Sequence, residues 1–167
     1  MRELLAESMK CVAQATAVLA ASLENYAKKT RNQAARFYAS YAFHDLRKFN
    51  AMLRGALEAM GVDPDEALQD CREVLGVALS KPLNEALTML KSGNVDLSRL
   101  VDAGVRLVRN ATIYALAFAK VFTLLNSSYD HLALVFEAAA KDLQNHAELL
   151  TRLKPFIEED EELNITT

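Results

Sequence analysis

Apolar positions recur along almost the whole chain at the three- and four-residue spacing of amphipathic helices, and no alternating, strand-like run of useful length interrupts them. The spacing predicts helices over about 2–28, 31–60, 65–91, 98–126 and 129–157. "GVDPDE", with Gly61 and Pro64, stops the second helix. The third is less regular, with a break expected near Pro82, and ends at "KSGNVDLS", where Gly93 and Asn94 punctuate and Asp96 or Ser98 caps the next helix. "NSSYD" separates the last two. Two long helices joined tightly, a partly helical crossover, then two more long helices joined tightly describe an all-α four-helix bundle of two antiparallel hairpins. A single domain over 1–157 accounts for the pattern, and the acidic residues 158–167 read as a frayed tail.

Helical-wheel placement at about 100° per residue assigns the inward faces. In the fifth segment His146 shares an arc with Leu132, Phe136, Ala139, Leu143 and Leu150. In the second, Leu46 and Phe49 lie with Ala39, Ala42, Leu53 and Met60. In the fourth, Asn110 lies with Ala103, Leu107, Ile113, Ala117 and Val121. The first helix has its main stripe at Leu5, Met9, Val12, Thr16, Leu19 and Leu23, yet is apolar nearly all round from Cys11 to Leu23. A helix apolar on two faces needs two partners. Together with Phe37, Tyr38, Tyr41 and Phe43, spread widely around the second helix, this predicts a homodimer formed through helices 1 and 2.

Composition narrows the function classes. With 51% apolar and 25% charged residues, the chain has the make-up of a soluble globular domain. A net charge of −3 supplies no global positive field for nucleic acid or an anionic membrane, and the basic run "AKKTRN" sits at a helix junction. The most apolar stretch, 111–125, is short for a membrane span and contains Lys120, so no membrane segment is expected. Glu3 and Glu7 ahead of "CVAQATAVLAAS" argue against an export signal. Cys11 and Cys71, far apart and without a CxxC motif, read as reduced, buried thiols, which implies a cytoplasmic location. On that reading the N-x-[ST] matches at Asn110, Asn126 and Asn164 carry no meaning.

Two stretches repeat. "HDLRKFNAML" in the second helix is echoed by "KDLQNHAELL" in the fifth, which aligns Asp45 with Asp142, Leu46 with Leu143 and Phe49 with His146. "VAQAT" in the first helix is echoed by "VRNAT" in the fourth at nearly the same chain separation. The arrangement resembles the ferritin-like superfamily, in particular rubrerythrin-like bundles. There the second and fourth bundle helices carry Glu-x-x-His, the other two each add a glutamate, and the six side chains hold two iron or manganese ions. Carried over by position, the ligand set becomes Gln14, Leu46, Phe49, Asn110, Leu143 and His146. Only His146 keeps ligand chemistry, and two leucines, a phenylalanine and two neutral amides cannot offset the charge of two metal ions. The resemblance thus implies a degenerate di-iron site with no cofactor, in a non-catalytic structural or protein-interaction module. Within it, His146 would find a buried partner, with Asn110 the candidate.

Two alternatives use other residues. Asp142 and His146, one helical turn apart, together with Asp45 and with Glu24 or His44, define a shifted site for a divalent metal such as Fe, Mn or Zn. His131 lies near the start of the last helix and reads as solvated. The aromatic texture of "ARFYASYAFHDLRKF" resembles the HEPN type of nucleotide- or RNA-associated helical domain, although Arg36 and His44 are spaced too widely for that family's Arg-x(4–6)-His signature. No GxSxG, HExxH or glycine-rich phosphate loop is present in the sequence.

Overall fold

A computed structural model describes residues 1–66, 70–125 and 127–165, with side chains through 159. The described residues form α1 (Arg2–Lys29), α2 (Gln33–Ala59), α3 (Arg72–Ser92), α4 (Leu97–Leu125), a short 3₁₀ turn (Ser127–Tyr129) and α5 (Asp130–Ile165), with no strand among them. The fold is all-α, as the spacing predicts. Asn32 caps α2 by accepting a hydrogen bond from the Ala35 amide, and Asp96 does the same for α4 at Arg99. Gly93 ends α3 at φ 73°, a left-handed conformation that favours glycine. α5 continues through Ile165, so the acidic run expected as a frayed tail is helical to that point, while 166–167 and Asn126 lie outside the described residues.

The helices pack in cyclic order, α1 on α2, α2 on α5, α5 on α4, α4 on α3 and α3 back on α1. The expected crossover is therefore a wall of the molecule. This explains why α1 is apolar on two sides: one side meets α2 and the other meets α3, within a single chain. Among the aromatics expected at a dimer surface, Tyr38 and Phe43 are buried inside the chain, and Phe37 is 63% exposed.

α3 starts at Arg72, later than expected, and its break lies at Gly76 (φ 61°, ψ 171°) rather than at Pro82, which sits inside the helix. Pro82 has no N–H to give the carbonyl of Ala78, and Asn110 on α4 supplies a donor instead, its Nδ2 lying 2.8 Å from the Ala78 oxygen. One turn on, the Tyr114 hydroxyl donates to the Leu75 carbonyl at 2.8 Å, next to the Gly76 kink. Two polar side chains of α4 thus satisfy carbonyls beside the two irregular points of α3. Docking α3 in this way turns α4. Its buried face runs through Val101, Val108, Ala115, Phe118 and Phe122, while Ile113 and Ala117, expected inside, are exposed.

The segment entering α3 is fixed to the start of the bundle. Arg2 donates to the Met60 carbonyl, the buried Lys10 pairs with Glu66, and Arg54 binds Asp65 through two hydrogen bonds. Cys11 and Cys71 are joined in a disulfide, which corrects the expectation of two reduced thiols and removes the ground it gave for a cytoplasmic location. The bond closes a loop of 60 residues, a constraint on the unfolded chain worth roughly 4 kcal/mol in the chain-entropy account.

Candidate functional site

Helices α2 and α5 face one another across a polar seam. His146 is 3% exposed, and its Nδ1 meets Oδ2 of Asp45, whose side chain is 21% exposed. A carboxylate only accepts, so the proton of this contact belongs to Nδ1. The partner expected for His146, Asn110, is instead committed to α3, as described above. Three residues further along α2, Lys48 Nζ lies 2.5 Å from Oδ2 of Asp142, one turn back on α5. The two contacts run in opposite directions along the two helices, so α2 and α5 are antiparallel here. The equivalence drawn from the repeat would exchange Asp45 and His146 with Asp142 and Phe49. Asp142 and Phe49 line one shallow groove.

The electrostatics follow this geometry. Hydrogen bonding to Asp142 holds the Lys48 ammonium pKa above its usual value. Tyr41, whose ring meets that of His146 edge-on at 4.9 Å between centroids, is pushed up by burial and then by the charges of Asp45 and Asp142. Glu24, a candidate fourth ligand, is engaged by Lys28 and Arg47, and the Lys28 hydrogen bond leads in lowering its pKa. His44 is exposed, its ring tilted against that of Phe43.

Inside the seam is a cavity of about 60 Å³ lined by side chains from all five helices, almost all of them apolar. His146 and Asp45 reach its wall at one place, and Tyr38 and Gly104 line it at another. Nδ1 faces the largely buried Asp45, and Nε2, on the other side of the ring, is buried without a hydrogen-bond partner among the described residues. Such an orphan costs about 1–3 kcal/mol. Tyr38 is 2% exposed and packs so closely on α4 that a Cβ at Gly104 would stand 2.6 Å from its hydroxyl. Burial pushes the Tyr38 phenol pKa well above its usual value.

Of the six positions carried over from the di-iron pattern, Leu46, Phe49, Leu143 and His146 line the same cavity, whereas Gln14 and Asn110 lie away from it. Phe49 and Leu143 are buried core, Leu46 packs against that core, Gln14 is exposed near the disulfide, and Asn110 faces α3. These residues do not fit a dinuclear metal centre. The shifted set is only half assembled: Asp45 and His146 meet, whereas Asp142 turns to Lys48. No group of three or more His, Cys, Asp or Glu side chains is placed to hold a metal ion among the described residues. The sequence groups Asp45 with His146 in the shifted site; what it does not reveal is the antiparallel register of α2 and α5 that makes these two a direct pair and leaves Asp142 to Lys48.

Comparison with protein-family models, with curated proteins and with solved structures gives no match.

Proposed function

We propose that the chain is a non-catalytic helical bundle of ferritin-like descent that has lost di-metal chemistry and acts as a structural or interaction module. The observation that carries this reading is the filling of the former ligand positions: Phe49 and Leu143 are core residues where a metal centre needs donors, and His146 is held by Asp45. Each fully buried apolar side chain stabilises the bundle by about 1.5–3 kcal/mol, so the exchange favours fold over chemistry. The antiparallel seam, in which Asp45 and His146 answer Asp142 and Phe49, supports descent by duplication of a hairpin.

The surface that supports an interaction role lies on α4 and α5. Ile113, Leu116, Leu124, Leu134 and Val135 are all exposed there, and Leu116 and Leu134 line one groove between the two helices. Both α1 and α4 are long and apolar enough to cross a membrane by length and composition, but 56% of the most apolar window of α1 is buried in the bundle against 33% of that of α4. The outward apolar surface of α4 is thus unmatched by α1, and a second copy is the simplest cover for it. The disulfide supports either an oxidising compartment or the interior of a hyperthermophile, the settings in which such bonds persist. Sedimentation at micromolar concentration tests the interaction role. A dimer that Leu116→Lys with Leu134→Lys converts to monomer supports it, and a wild-type monomer removes self-association through this face.

A further inference from the structure

The interior cavity has chemistry that its position in the fold does not demand. A core built only for stability would be apolar throughout, or would pair every polar atom it encloses. Here the wall is apolar except at a few points, and one of them is His146, whose buried Nε2 has no hydrogen-bond partner among the described residues. We propose that the cavity is a binding site for a small, neutral, mainly aliphatic alcohol whose hydroxyl donates to Nε2 of His146.

Four observations define the ligand. The first is the direction of the hydrogen bond. Asp45 accepts the Nδ1 proton of His146, so in the neutral ring Nε2 presents a lone pair, and a ligand that meets that form must bring the donor. The carboxylate also strengthens Nε2 as an acceptor, as the outer partner of a metal-ligating histidine does for its ring.

The second observation is charge. The Asp45 carboxylate lies on the cavity wall, and the two cations that follow it on α2, Arg47 and Lys48, are engaged by Glu24 and Asp142, so an anion meets repulsion without compensation. A cation has only Asp45 to meet, and that carboxylate is already engaged by His146 in a wall otherwise made almost wholly of hydrocarbon. The ligand is therefore uncharged.

The third is size. About 60 Å³ is well below the ~150 Å³ that accommodates benzene, so the space suits only a molecule of a few heavy atoms. A branched molecule of about four heavy atoms suits this space once the surrounding leucines adjust.

The fourth is Tyr38. Its hydroxyl makes no hydrogen bond to another described residue, and its residue lines the same cavity. The ligand oxygen has a second group to meet, this time as an acceptor.

Two molecules of equal heavy-atom count test the assignment in the intact, disulfide-bonded chain. 2-Propanol carries the donor, and acetone carries only an acceptor. With histidine labelled by ¹⁵N, 2-propanol is expected to move the Nε2 resonance of His146 saturably, with acetone binding about tenfold or more weakly because it leaves Nε2 unpaired. Ala42→Leu, which adds bulk at the cavity wall, is expected to abolish the shift, with Ala86→Leu as the replacement should the first variant not fold. A linear, non-saturating response to 2-propanol overturns the proposal. So does acetone binding as well as the alcohol, or an unchanged titration in the folded, cavity-filled variant.

Discussion

Nδ1 of His146 on α5 and a carboxylate oxygen of Asp45 on α2 meet across the seam between the two helical hairpins, and the rest of the imidazole is buried. Neither residue is simply core or surface. Asp45→Ala leaves both ring nitrogens without protein partners and is expected to lower stability by about 2–3 kcal/mol. His146→Phe keeps a ring in the core and lets the partly exposed Asp45 turn to solvent, so its cost is smaller. In a double-mutant cycle by urea denaturation the two changes are expected to be non-additive by about 1–2 kcal/mol. Strict additivity would show that the contact does not stabilise the fold.

Asn110 and Pro82 form a second pair that a cycle resolves. The Asn110 amide donates to the carbonyl of Ala78, the oxygen that Pro82 leaves without an in-helix donor. Asn110→Ala is expected to cost about 1 kcal/mol in the wild-type background. In Pro82→Ala, where the new amide reaches Ala78 on its own, the cost of Asn110→Ala is expected to fall toward zero. An equal cost in both backgrounds would show that the side chain acts through something else, such as its bond to the Arg106 carbonyl.

The phenol of Tyr38 sets the alkaline limit. Its folded pKa is raised by burial, whereas the unfolded chain ionises near the ordinary value of about 10. Its contribution to stability is therefore complete below about pH 10 and declines as pH rises from there toward the folded pKa, at up to about 1.4 kcal/mol per pH unit. Tyr41 and Tyr114, also raised, add to the decline. Urea midpoints measured from about pH 9 upward are expected to fall less steeply in Tyr38→Phe than in wild type. Parallel slopes would place the titrating group elsewhere.

Much of the fold is legible in the sequence because burial and periodicity are local. The expected arc of α5, from Leu132 through His146 to Leu150, is buried throughout, and the main stripe of α1 is likewise inside. What the wheel mistakes is α4, where Ile113 and Ala117 face out. The reason is tertiary: α3, which reads as a connector because Gly76 and Pro82 interrupt it, docks on α4 and recruits Asn110 and Tyr114 to its free carbonyls. Asn110 looks like a buried polar residue in search of His146, but a neighbouring backbone has the stronger demand. The Cys11–Cys71 bond is equally non-local, since two cysteines 60 positions apart carry no pairing signal of their own. The seam between α2 and α5 stands between these cases. The repeat marks its residues as equivalent, and the antiparallel register then determines that Asp45 meets His146 while Asp142 meets Lys48.

The central claim is that a core of Phe49, Leu143 and a paired His146 has replaced metal chemistry, and elemental analysis of protein purified without chelator tests it most directly. The account predicts less than about 0.1 equivalent of Fe, Mn or Zn per chain, with a thermal midpoint unchanged by added metal or by chelator. About one equivalent or more of any of these metals, lost in His146→Ala, would contradict it.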